Sequence, residues 1–239
     1  MRLDKFISDA AAMTRSESRK AVKTGRVMVE NRPVRDVAFQ VAENSVVLLD
    51  GQEITYREFV YIMLNKPAGY VSATEDKKQK TVLDLLDPSY SRYQLFPVGR
   101  LDVDTEGFLL ITNDGELAHN MLSPNKNVGK TYFLRLEKNI TDEEILLLEK
   151  GVNIGECITK PAKAKRIKCD EIELTITEGK FHQIKRMAHA VGNKVIYLKR
   201  LAYGEFFLDD SLNLGNYRLL TEKEVEYLCN VYKRKSLNL

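Results

Sequence analysis

The charge of this chain changes sign within its first quarter, and that break constrains the fold more than any total does. Residues 1–35 hold nine Lys/Arg against four Asp/Glu, and residues 36–64 hold one Arg against five acids. The basic stretch opens RLDKFI, with Leu3, Phe6, Ile7 and Ala10 at helical spacing. Thr14-Arg15-Ser16-Glu17 then reads as a capping box, and Gly25 stands where the helix it opens should end. On that second helix Arg15, Arg19 and Lys23 fall four apart and share a face, with Arg26 beyond the cap. Glu17 is the only acid between residues 10 and 29, so these cations have few partners within their own helix. Short strands RVMV and VVLL follow, joined through the polar turns ENRP and DGQE. A helix–helix–hairpin unit with one cationic face can read a phosphate backbone, and it can equally be a solvated surface.

After QEITYREF the pattern becomes an interleaving of strands and helices. YIMLNKPAGYVS reads as a buried strand ending in a turn, and TVLDLL as a short helix. LLITNDGELAHNML is a strand, a turn and the start of a helix; KTYFLRLE and DEIELTITEG alternate as strands. TDEEILLLEKGV is helical with Thr141 as its cap, and FHQIKRMAHAVG is a helix stopped by Gly192. The expectation is an α+β chain: a small helix-pair domain over residues 1–58 and a larger domain over 59–239. A 44% hydrophobic and 30% charged composition is ordinary for a soluble protein, and no run approaches the length of a membrane helix. The N-terminus MRLDKFISDA is charged from its second residue and lacks the apolar core of a signal peptide, so a cytoplasmic protein without a membrane partner is expected. Cys157, Cys169 and Cys229 are far apart, and His119, His182 and His189 show no ligand spacing. No metal site is therefore expected.

The segment GRLDVDTEG, residues 99–107, admits three readings. Asp102, Asp104 and Glu106 followed by Gly107 resemble the first half of a calcium loop, but positions 9 and 12 of such a loop fall on Leu110 and Asn113. FLLIT runs through that second half as a strand would, which removes the calcium reading. A plain turn, with Arg100 pairing Asp104, is the second. A reactive carboxylate on a loop anchored by a rigid sheet is the third. If the segment is extended, Asp104 points to the face opposite Asp102.

Resemblance separates these. RLDKFIS…TRSESRKAVKTGRVMVENRPVRD is similar to the small RNA-binding module named after ribosomal protein S-four, also called the alpha-L motif. VGRLDVDTEGFLLITNDGELA resembles the catalytic loop of the pseudouridine synthases, in the branch that modifies ribosomal RNA with a single carboxylate. LNKPAGYVS, KTYFLRL and EGKFHQIKRMAHAVGN resemble three further motifs of that family in the same order, so the likeness covers nearly the whole chain. EGKFHQIKRM, with TKPA at 159–162, is closest in form to the enzyme acting on small-subunit 16S rRNA.

The resemblance implies a catalytic domain with a mixed, mainly antiparallel sheet flanked by helices. It also implies conversion of a specific uridine to pseudouridine. That reaction breaks the glycosidic bond at nitrogen 1, turns the uracil and rejoins it through carbon 5, so no cofactor is required. An ionised carboxylate beside the sugar is required, either to attack the anomeric carbon or to take a proton from its neighbour. By the resemblance Asp102 is that carboxylate. Lys185 is its cationic partner, where many relatives carry Arg. Tyr132 stacks on the target base, Ile184 packs under it, and Arg100 flips the nucleotide or holds a phosphate. His182 and Gln183 orient their loop. Arg2, Lys5, Arg15, Ser16, Arg19, Lys20, Lys23 and Arg26 are the expected RNA contacts of the first domain. The cation-rich segments KPAKAKRIK (160–168) and KRMAHAVGNKVIYLKR form either a phosphate-binding rim or a soluble surface. The implied partner is ribosomal RNA or a partly assembled small-subunit particle, bound by a monomer. A large-subunit 23S rRNA enzyme of the same branch, and a non-catalytic RNA-binding or ribosome-assembly protein, are the alternatives.

Overall fold

The first helix forms where the apolar spacing requires it. The computed structural model describes residues 1–11, 13–42 and 45–232, and it divides into two units, Met1–Phe59 and Val60–Leu239. In the first unit α1 (Leu3–Ala10) and α2 (Arg15–Lys23) bury Leu3, Phe6, Ile7, Ala10, Ala21 and Val22 in one core with Val27, Val29, Val41 and Val47. Thr14 and Glu17 close the capping box reciprocally, and Gly25 turns left-handed just past α2 at φ 77°.

The expected single hairpin is instead two. Strands β1 (Val27–Val29), β2 (Arg32–Pro33), β3 (Val47–Leu49) and β4 (Gln52–Ile54) form a sheet in the order β2-β1-β3-β4. RVMV and VVLL do pair antiparallel, but each also starts its own hairpin. The reason lies in the turns: Glu30 and Asn31 are both left-handed in one, Asp50 and Gly51 in the other. Two consecutive left-handed residues give the tight turn that matches strand twist, and Asn, Asp and Gly tolerate it best.

The second unit is built on a nine-stranded sheet. Its strands are β5 (Tyr61–Lys66), β6 (Phe96–Pro97), β7 (Glu106–Thr112), β8 (Lys130–Leu136), β9 (Lys163–Arg166), β10 (Glu171–Ile176), β11 (Val195–Tyr203), β12 (Phe206–Phe207) and β13 (Tyr217–Leu219). The main path runs β13-β5-β7-β11-β8-β10-β9, with β6 on β7 and β12 on β11. Every pairing is antiparallel except β7 with β11. The sheet is therefore mixed and mainly antiparallel.

Both faces of its centre are covered, which is why β5 and β7 are apolar at nearly every position. Ile62, Leu64, Leu109 and Ile111 face one core, with Ile184, Met187 and Ala188 of α5 (Gln183–Ala190) and Leu148 of α4 (Asp142–Lys150). Tyr61, Met63, Phe108 and Leu110 face another, with Leu117, Ala118 and Met121 of α3 (Gly115–Leu122) and Leu228 and Tyr232 of α6 (Glu222–Tyr232). TVLDLL becomes a single 3-10 turn, and Thr141 caps α4 through a second full capping box. Strand β11, at the middle of the sheet, has no counterpart among the strands expected from the sequence. Among the described residues, no helix is long and apolar enough to cross a membrane.

Candidate active site

Lys66 organises the turn that follows Arg100. It ends β5, an entirely buried strand, and its own residue is 0% exposed. A buried ammonium must find acceptors. Lys66 Nζ donates to the carbonyl oxygens of Asp102 (3.1 Å), Val103 (3.2 Å), Thr105 (2.8 Å) and Pro67 (3.0 Å). Burial depresses its pKa to about 8, against the opposing pull of Asp104, Glu106 and Asp102. The same segment adds two more ties. Gly69 N donates to Val103 O at 2.8 Å, and Ser72 Oγ both accepts from Leu101 N and donates to Leu101 O at 3.0 Å. LNKPAGYVS is thus the bracket that holds residues 101–105.

Within this bracket the chain is a turn, closed by Thr105 N donating to Asp102 O at 3.1 Å. The expectation that Asp104 faces away from Asp102 fails for this reason: a turn, unlike an extended segment, brings both carboxylates to one side. Lys185 Nζ meets them together, 3.3 Å from Asp102 Oδ2 and 2.6 and 2.8 Å from the oxygens of Asp104. The two acids differ in surroundings. The Asp102 side chain is 29% exposed and that of Asp104 is 70% exposed. Burial opposes ionisation of Asp104, but the hydrogen bond and charge of Lys185 prevail and hold its pKa below the usual value. Lys185 is likewise penalised by burial, yet hydrogen bonding to Asp104 and the charges of both acids raise its pKa.

Glu106 does not shape this turn. It opens β7 and accepts from the Tyr197 hydroxyl of β11 at 2.7 Å. Gly107 follows at φ 101°, paired in parallel with Arg200, and a Cβ there would lie 2.2 Å from Arg200 O. Only glycine lets the two strands approach this closely.

Tyr132, on β8, and Ile184, on the first turn of α5, are buried in the same cluster as Leu101. The Tyr132 hydroxyl forms no hydrogen bond with the described residues. Arg100 is exposed and has no ion pair among them, so the Arg100–Asp104 pair of the plain-turn reading is absent. His182 lies with Nε2 3.7 Å from Asp102 Oδ1 and adopts a left-handed φ of 49° at the head of α5. Gln183 clasps the preceding turn, accepting from Lys180 N (2.9 Å) and donating to Glu178 Oε1 (2.8 Å).

The eight cationic and polar residues expected to contact RNA in the first unit are all exposed: Arg2, Lys5, Arg15, Ser16, Arg19, Lys20, Lys23 and Arg26. Several have partners that the single-helix view missed. Arg2, Arg15 and Arg19 converge on the fully buried carboxylate of Asp4, at 3.1, 3.7 and 3.2 Å. Arg26 donates to Asp50 at 2.8 Å. Lys5, Lys20 and Lys23 form no ion pair among the described residues. The second basic group needs correction too. Arg200 is 1% exposed, with Nε on Phe108 O at 2.8 Å, and so cannot belong to a phosphate rim. In the 160–168 segment, Arg166 pairs with Asp142, Lys165 with Glu173 and Lys168 with Glu171.

A turn carrying a carboxylate braced by a lysine, on a mixed sheet, in a chain that also carries a cationic helix-pair unit, fits a class of RNA-modifying enzyme. The RNA pseudouridylate synthase family matches residues 60–190 and the S4 domain matches residues 1–47. The chain belongs to the RNA pseudouridine synthase family, whose members isomerise uridine in RNA, and carries an N-terminal S4 domain. It is 52% identical over 235 residues to YtzG of Bacillus subtilis, named an uncharacterised RNA pseudouridine synthase, covering 95% of this chain and 98% of that one. It is 44% identical to ribosomal small subunit pseudouridine synthase A of Vibrio cholerae and 40% identical to that of Escherichia coli, each across 94% of this chain and 98% of the relative. A crystal structure of a pseudouridylate synthase superposes with a TM-score of 0.67 at 35% identity, over 95% of this chain and 99% of the other.

Two contributors escaped the sequence reading, Lys66 and Ser72. The available signal was a lysine closing a strand that opens with four apolar residues, YIML, and such a lysine has to be bonded inside.

Proposed function

We propose that this chain converts a uridine of small-subunit 16S rRNA to pseudouridine, in the cytoplasm, with Asp102 as the catalytic carboxylate. The observation that carries the choice of acid is the difference in enclosure. Asp102 and Asp104 both reach Lys185, but Asp102 is the more enclosed and adjoins the cluster of Leu101, Tyr132 and Ile184. Lys185 sets a positive charge 3.3 Å from the Asp102 carboxylate. Tyr132 and Ile184 supply flat and apolar surface for a uracil that has left its stack, which costs a few kcal/mol. Small-subunit specificity is supported by the relatives named ribosomal small subunit pseudouridine synthase A and by the EGKFHQIKRM form of the third motif.

The test is incubation with unmodified small-subunit rRNA, free and in a partly assembled subunit, followed by chemical mapping of pseudouridine. One modified uridine is expected. Asp102→Asn should abolish it with RNA binding retained, and Asp104→Asn should leave most activity. The reverse pattern overturns the choice of acid. Modification of large-subunit rRNA alone overturns the choice of substrate.

A further inference from the structure

Beside the site stands a ring that the chemistry assigned to Asp102 does not use. Phe181 is 74% exposed, an unusual state for a large apolar side chain. Its ring lies 3.8 Å from that of His182, centroid to centroid, with 22° between the planes. One face of Phe181 is thus occupied, and the exposure lies on the rest of the ring. The mounting is rigid rather than loose. Arg186 Nη1 donates to Phe181 O at 3.2 Å while its other contacts run to Glu156 and Ile154 O. Gln183 clasps the turn from Lys180 to Glu178, and His182 is held in a left-handed conformation that non-glycine residues rarely adopt.

The stack also has a direction. His182 meets Asp102 through its ring edge, Nε2 lying 3.7 Å from Oδ1, and carries Phe181 stacked on its face, so Phe181 is one ring removed from the imidazole that flanks the carboxylate. Lys180 precedes it in sequence and provides positive charge for a phosphate backbone. Exposed aromatic rings beside cationic groups are the surfaces on which unpaired RNA bases stack. We propose that Phe181 and His182 form a stacking platform for an unpaired base next to the target uridine, so that the enzyme selects for an unpaired neighbour as well as for the uridine. This rests on Asp102 marking the position of the target.

The test compares the full-length protein with Phe181→Tyr, Phe181→Leu and Phe181→Ala. Binding to a small-subunit rRNA transcript is measured by filter retention, and contacts are mapped by zero-length ultraviolet cross-linking. Because the ring is exposed, the variants should melt with the wild type. Stacking predicts Phe181→Tyr within about twofold of wild type, and Phe181→Leu and Phe181→Ala weaker by roughly tenfold. Wild-type protein should cross-link through Phe181 to a nucleotide adjoining the modified uridine. A Leu variant that binds as well as wild type overturns the proposal, since apolar contact without a ring would then suffice. Unchanged binding by the Ala variant, or no cross-link at Phe181, also overturns it. A Phe181 cross-link with no pseudouridine formed would sink the proposed function and leave the platform standing. Normal pseudouridine formation by Phe181→Ala, with no cross-link at Phe181 in the wild type, does the opposite.

Discussion

At the scale of single residues, Lys66 shows how a buried charge can be structural without an acid partner. Its ammonium has three protons, and four carbonyl oxygens lie within reach, three of them from the turn that carries Asp102 and Asp104. Replacing it with methionine keeps the length of the side chain and removes every donor. The carbonyls would be left without their partner, and unsatisfied buried acceptors cost about 1–3 kcal/mol each, with some relief from water. Lys66→Met should therefore lower unfolding free energy by about 2–4 kcal/mol in denaturant titrations. It should also reduce pseudouridine formation more than it reduces RNA binding, because the binding cations sit elsewhere. Equal losses in both would mean that Lys66 serves only global stability. The lysine was visible in the sequence as part of LNKPAGYVS, but three of its four partners lie 36 to 39 positions away, and nothing local announces them.

At the scale of elements, two junctions decide the outcome. The first is the parallel contact of β7 and β11 at Gly107. A methyl group there would overlap Arg200 O at 2.2 Å and would also have to accept φ 101°. Gly107→Ala should cost about 3 kcal/mol in unfolding free energy, measured by thermal or denaturant melting, and a neutral result would show that the strands can part freely. The second junction is the meeting of α1 and α2 at Asp4. The hydrogen bond from Arg2, with burial opposing and Arg19 assisting, holds the Asp4 pKa at about 2, below its ordinary 3.8. A carboxyl lowered on folding stabilises the fold fully above its unfolded value and loses that contribution as pH falls through the folded one. The stabilisation from Asp4 is thus present above about pH 3.8 and fades as the pH drops toward 2. Asp4→Asn should be less stable than wild type at neutral pH, and the two acid melting curves should converge near pH 2. A constant gap across that range would rule out the linkage.

The elements also show which parts of this chain a reader of sequence can see. The capping box at Thr14 and the cap at Thr141 are local, each settled within four residues, and were legible. Strands β5, β8 and β10 announced themselves by apolar runs or alternation. Strand β11 did not, because VIYLKRLAY carries cations at positions that the finished sheet encloses: Lys199 pairs with Glu106 in register, and Arg200 is buried. Read in isolation, those cations belong to a solvated surface. The convergence of Asp102 and Asp104 was hidden for a similar reason, since the turn that produces it depends on Lys66.

At the scale of the whole molecule, binding and chemistry have separate cores, one in Met1–Phe59 and the others in Val60–Leu239. Perturbations of the first unit should therefore change RNA affinity with little effect on the site. The choice of residues matters. Arg15 and Arg19 compensate the buried Asp4, so their removal would destabilise the unit as well as remove charge. Lys20 and Lys23 have no such duty. The Lys20→Gln/Lys23→Gln double variant should keep its melting temperature and bind rRNA more weakly. Its slope of log affinity against log salt should fall by about 1 for each phosphate that is no longer neutralised. An unchanged slope would reduce α2 to a solvated face.

The parallel pairing of β7 with β11 has a consequence for the chain as it is made. Glu106 and Gly107 must wait for Lys199 and Arg200 before the strand behind the carboxylate turn has its neighbour, and Lys185 arrives only shortly before them. The S4 unit, complete by residue 59, can fold while the ribosome is still far upstream of those positions. A newly emerging chain is then able to hold RNA well before it can act on it. Premature termination between residue 59 and β11 would release a binder with no enzyme attached.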